Sequence, residues 1–168
     1  AIEPNPNLIF SVKHQKGDFH QLTPFNPTLM IGKHRQIIEV QSQREAYGKG
    51  AHPYYIGRGV IDGWEEYEWL MKPGQPRGLR DVIRNPLCAG IWTWSRGGGW
   101  EGPFIKYGPW CELNTYMIVQ FAAHPELTEE QIFLNFARNE LKLTDADAAK
   151  FHELCLLSAK AVLRGQLT

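Results

Sequence analysis

The sequence predicts an α/β fold, with parallel strands in the front half of the chain and helices in the back half. Two observations carry that reading. The runs ending in Lys13-His14-Gln15-Lys16-Gly17-Asp18 and Arg44-Glu45-Ala46-Tyr47 each read as a β-strand closing near an acid. Most of the six tryptophans, sixteen glycines and eleven prolines precede residue 111, and the remainder is richer in Leu, Ala and Glu. In a parallel α/β sheet or barrel, the carboxyl ends of neighbouring strands share one rim, where catalytic groups collect.

Asn7 to Lys13 is a short, mostly apolar run behind Pro4 and Pro6, as expected of a strand buried on both faces of a parallel sheet. Residues 14–32 read as a long loop, punctuated by Gly17, Pro24, Pro27 and Gly32. Gln36 to Glu45 is the second strand, with Ile38 and Val40 on one face and Glu39, Gln41, Gln43 and Glu45 on the other. That alternation fits an edge strand with a solvated face, and equally a barrel strand whose polar side lines the lumen. Val60 to Met71 predicts a short helix, and Leu79 to Arg84 another that stops near Pro86. Ala89 to Ser95 is the third strand, running into Arg96-Gly97-Gly98-Gly99-Trp100. The triple glycine is followed by Trp100, Gly102 and Pro103 and not by Gly-Lys-Ser/Thr, which argues against a nucleotide-phosphate loop.

Start signals are clearer in the back half. Glu112 to Ala123 reads as a helix stopped by Pro125. Thr128-Glu129-Glu130-Gln131 is a capping box opening a helix to about Leu141, with Phe133, Phe136, Ala137 and Leu141 as its buried stripe. Thr144-Asp145-Ala146-Asp147 opens a last helix ending near Gly165. The expected division is therefore 1–110 for strands and loops, and 111–168 for a helical region.

Composition excludes more than it assigns. With 18 basic and 18 acidic residues the formal net charge is zero, which offers no footprint for nucleic acid or an acidic membrane. No apolar run approaches the roughly 18 residues of a membrane span, and no signal peptide is visible. Ala1 at the start reads as a processed or shortened chain. Cys88, Cys111 and Cys155 are odd in number and widely spaced, as expected of buried thiols. His14, Asp18, His20, His34 and His52 match no metal-binding spacing, so no metal and no cofactor is expected.

Two carboxylates on one strand rim are the equipment for cleaving a glycosidic bond. An inverting enzyme holds its base roughly 6.5–9.5 Å from its acid, leaving room for the attacking water. Taken singly, Asp18 after Gly17 is a common turn residue, and Glu45 beside Arg44 a common surface ion pair.

The order of motifs narrows this. Val12-Lys13-His14-Gln15-Lys16-Gly17-Asp18-Phe19, then Glu39-Val40-Gln41-Ser42-Gln43-Arg44-Glu45-Ala46-Tyr47-Gly48, resembles the glycoside hydrolase family 67 α-glucuronidases. The likeness continues through His52, Tyr55, Gly90, Trp100, Asn114 and Pro125-Glu126-Leu127-Thr128-Glu129-Glu130-Gln131-Ile132. It implies the C-terminal part of a (β/α)8 TIM barrel, about three parallel strands, followed by a helical C-terminal region. It also implies inverting release of (4-O-methyl)glucuronic acid from xylo-oligosaccharides. On the resemblance, Asp18 and Glu45 fall at the two general-base positions and Lys13 where a lysine holds the uronate carboxylate. His52, Tyr55, Trp94 and Trp100 are the remaining substrate-binding candidates. Trp92 and Trp94 stand where the family carries smaller residues, and read either as stacking surfaces for sugar rings or as core filler.

The family's general acid lies on an earlier strand, upstream of everything matched. The chain is therefore expected to be part of a longer enzyme or of an assembly, completed by the missing N-terminal part of the barrel or by a second copy. A barrel domain needs about 250 residues, and three strands do not close one. Family members act on oligosaccharides already taken up, which implies cytoplasm or periplasm. A binding module without catalysis, using Tyr54, Tyr55, Trp94 and Trp100 as platforms, is the alternative. A purely structural fragment is the third reading.

Overall fold

The computed structural model describes residues 3–17, 19–42, 54–94 and 109–166. Its three strands, β1 (Ile9–Lys13), β2 (Arg35–Gln41) and β3 (Cys88–Trp94), form one sheet in the order β1-β2-β3, with both pairs parallel. All three carboxyl ends therefore lie along one rim, the arrangement expected from the sequence.

Register sorts the side chains into two faces. Val12, Ile38 and Ile91 are aligned across the three strands, and Ile38 and Val40 are fully buried. This is the face that joins the core. Two residues on β3 span one step of β2 between Gln36 and Ile37, and Gly90, at φ 139°, takes the left-handed conformation there. The other face carries Ser11, Lys13, Glu39, Gln41 and Trp92.

The core is completed by helices. α1 (Gly57–Ile61) and α2 (Tyr67–Leu70) precede a 3₁₀ turn at Leu79–Asp81; α3 (Pro109–Ala123), α4 (Glu129–Asn139) and α5 (Asp145–Gln166) follow β3. α3 touches β3, and α4 lies against both α3 and α5. Met117, Ile118, Phe121, Phe133 and Ala137 join Ile38, Val40 and Ile61 in one buried cluster, so the strand and helical parts share a core.

Local chemistry sets the helix ends. Pro109 starts α3, where its missing N–H costs nothing. Thr128 Oγ1 accepts from the Gln131 N–H at 3.1 Å, and Gln131 Oε1 accepts from the Thr128 N–H at 2.8 Å, a complete capping box for α4. At the start of α5, Thr144 Oγ1 accepts from the Asp147 N–H at 3.2 Å.

Four expectations are corrected. β1 is not buried on both faces: Ile9 and Phe10 are 45% and 42% exposed, because β1 is the edge of the described sheet. β2 is its central strand, which removes the edge-strand reading of its polar alternation. The single helix expected over 60–71 is two short ones. Gly63 breaks it at φ 103°, and a Cβ there would meet the Arg77 Cβ at 2.9 Å. α4 ends at Asn139, so Leu141 lies beyond it at 38% exposure and Ile132 is buried instead.

Candidate functional site

One face of the sheet brings Lys13 together with Glu39 and Trp92. Lys13, Glu39 and Trp92 are aligned across β1, β2 and β3, one row below the carboxyl ends. Alternation along each strand points all three side chains to the same face. The Trp92 indole N–H donates to Ser11 Oγ at 2.9 Å, so the ring spans from β3 across β2 to β1. At 38% exposure, Trp92 presents an aromatic surface beside a lysine and a glutamate. Sequence reasoning placed Glu39 on the polar side of β2 but gave it no role. Strand register, which one strand's alternation does not contain, puts it between Lys13 and Trp92.

Lys13 ends β1, and its Nζ lies 5.1 Å from the Phe19 ring centroid, a cation–π contact. His14 stacks on the same ring, with centroids 5.0 Å apart and planes at 18°. Burial lowers the His14 pKa to about 4, partly opposed by the bond from its ring to the Glu39 carbonyl, so the imidazole is neutral near pH 7.

The loop after β1 is held by a compact polar network. Gln15 pairs with Phe25 across an isolated bridge, and its side-chain amide faces the carbonyls of His20 (2.8 Å) and Thr23 (3.0 Å) and the Tyr67 hydroxyl (2.8 Å). Its Oε1 accepts from the His20 N–H at 3.1 Å. The Tyr67 hydroxyl donates to the Thr23 carbonyl at 2.6 Å. Asn26 returns the loop to the strand, with Nδ2 donating to the Lys13 carbonyl at 2.9 Å. Residues on both sides of Asp18 are fixed in this way.

The predicted site residues divide accordingly. Asp18, Glu45, His52 and Trp100 lie outside the described residues, as does the Trp94 side chain. Tyr55 belongs elsewhere. It is 1% exposed, its hydroxyl donates to Glu129 Oε1, and its ring meets Phe133 and His152 edge-on. The contacts of Tyr55 run to α4 and α5, so its ring builds the helical core and not the sheet face.

Glu129 is the charged centre of that core. Its carboxylate faces His152 Nε2 at 3.0 and 3.2 Å and Arg58 Nη1 at 3.6 Å. Burial raises its pKa, but the hydrogen bonds from His152 and Tyr55 and the charges of His152 and Arg58 outweigh this and leave it lowered. Asn114 of α3 brackets the same segment. Its Oδ1 accepts from the Ile56 N–H at 2.9 Å, and its Nδ2 donates to the Tyr54 carbonyl at 2.9 Å. Ser158 Oγ accepts from the Tyr55 N–H at 3.0 Å. The chain leaving residues 43–53 is therefore anchored by α3, α4 and α5 together.

The histidines near the front of the chain have structural partners. His20 Nδ1 accepts from the Leu22 N–H at 3.0 Å, and His34 Nε2 from the Asn5 N–H at 3.3 Å. Among the described residues no three His, Cys, Asp or Glu side chains are grouped to hold a metal ion. No described helix is long and apolar enough to cross a membrane. No protein-family model matches the chain, and no curated protein matches it in sequence.

Proposed function

We propose that the chain supplies the sugar-binding and water-activating side of a glycoside hydrolase of the α-glucuronidase kind. The row of Lys13, Glu39 and Trp92 on one face of a parallel sheet supports this most directly. Lys13 offers a point charge to a uronate carboxylate, and the Trp92 ring offers an apolar face to a sugar. Asp18 and Glu45, which follow β1 and β2 in the sequence, take the role of bases orienting and deprotonating the attacking water. Gln15 and Tyr67 position the Asp18 loop, and Asn114, Glu129 and Ser158 position the chain beyond Glu45. The general acid comes from outside this chain. The exposed edge of β1, with Leu8, Ile9 and Phe10, accepts the preceding part of a barrel or a second copy.

Calorimetric titration tests the reading on the chain itself. A xylo-oligosaccharide carrying glucuronic acid binds more tightly than the same oligosaccharide without it, and Lys13→Ala weakens the charged sugar by about tenfold, or 1.4 kcal/mol. Equal binding of the two sugars, unaffected by Lys13→Ala, would refute it. With the segment bearing the acid present, glucuronic acid is released, and Asp18→Asn or Glu45→Gln abolishes release. The Trp92 platform also favours a second reading, a carbohydrate-binding fragment without catalysis. Tight binding with no release under those conditions selects it.

A further inference from the structure

A second feature lies away from the sheet face. α1, the segment leading into α2, and α5 line a half-open pocket of about 380 Å³. One wall is Trp64. A Cβ on Gly59 would lie 2.1 Å from its indole, so only glycine at 59 leaves the ring in place. The opposite chemistry comes from Gln21, which is 4% exposed and donates to Glu66 Oε1 at 3.0 Å, while Glu66 Oε2 has no partner among the described residues. Arg77 and Lys160 also line the space.

Four of the charged lining residues, Arg58, Asp62, Glu65 and Lys160, pair with one another. Arg58 Nε lies 3.7 Å from Asp62 Oδ2, and Lys160 Nζ lies 3.0 Å from Glu65 Oε1. A charged ligand would have to compete with these pairs. What remains is one indole face ringed by planar amide, carboxylate and guanidinium groups that accept and donate in fixed directions. That combination suits a ligand with an apolar C–H face and several hydroxyls. The volume falls at the lower end of the roughly 300–1,000 Å³ of small-molecule sites.

We propose that this cavity binds a neutral mono- or disaccharide, its ring face on Trp64 and its hydroxyls on Gln21, Glu66 and Arg77. The site shares no residue with the Lys13 row, so it stands or falls apart from the hydrolase reading. Saturation-transfer NMR and calorimetry with xylobiose test it, with putrescine as the charged comparison. Xylobiose binds in the millimolar range. Trp64→Ala and Arg77→Ala each weaken it by about tenfold. Should Trp64→Ala fail to fold, the Arg77→Ala titration decides. Absence of xylobiose binding, binding indifferent to Arg77→Ala, or binding of putrescine in its place each overturns the proposal.

Discussion

Acid should destabilise this chain through His14, by an amount the structure sets. The imidazole is buried between Phe19 and Phe25 and beside the Glu39 carbonyl, and its pKa is lowered to about 4 from the ordinary 6.5. The unfolded chain takes up a proton near pH 6.5, whereas the folded chain resists it until about pH 4. Stability from the neutral buried ring is complete above pH 6.5 and is lost as pH falls toward 4. Each pKa unit is worth 1.36 kcal/mol, so this site costs about 2 kcal/mol at pH 5 and about 3 kcal/mol at pH 4. Urea unfolding of the chain and of His14→Phe at pH 7, 5 and 4 isolates the site, because the other titrating groups cancel in the difference. The variant keeps an aromatic ring in the stack and loses the titration. Parallel stability curves for the two proteins would show that His14 is not held neutral by burial, and the argument would fail.

Two further outcomes follow from the buried networks. Glu129→Ala removes the partner of Tyr55, His152 and Arg58 at once and destabilises by about 3–5 kcal/mol, read as a lower midpoint in thermal unfolding; a change below 1 kcal/mol would mean the cluster is not a tie between α4, α5 and residues 55–58. Tyr67→Phe removes the hydroxyl shared with Gln15 and the Thr23 carbonyl and costs about 1–2 kcal/mol. Hydrogen exchange should then quicken at the amides of His20 and Thr23, while α4 keeps its protection. Uniform exchange across the chain would contradict a local role for Tyr67 in holding the loop.

Much of the fold was legible because its signals are local. Thr128 with Gln131, and Thr144 with Asp147, mark helix starts through bonds formed within four residues. The apolar runs at 9–13 and 88–94 announced strands for the same reason, and each pairs in parallel with β2 across a long connection. The helix expected over 60–71 failed at Gly63, whose left-handed backbone fits the close approach of Arg77, a residue fourteen positions away.

The sequence by itself determined the alternation of β2, the capping boxes and the presence of Lys13 at a strand end. Tertiary structure alone decided which residues became neighbours. Strand register set Glu39 between Lys13 and Trp92, and packing against α4 and α5 buried Tyr55 beside Glu129. The reason is physical. A helix cap or a strand's alternation is fixed by bonds a few residues long, whereas a row across a sheet or a buried carboxylate is assembled from chain segments that meet only when the core forms.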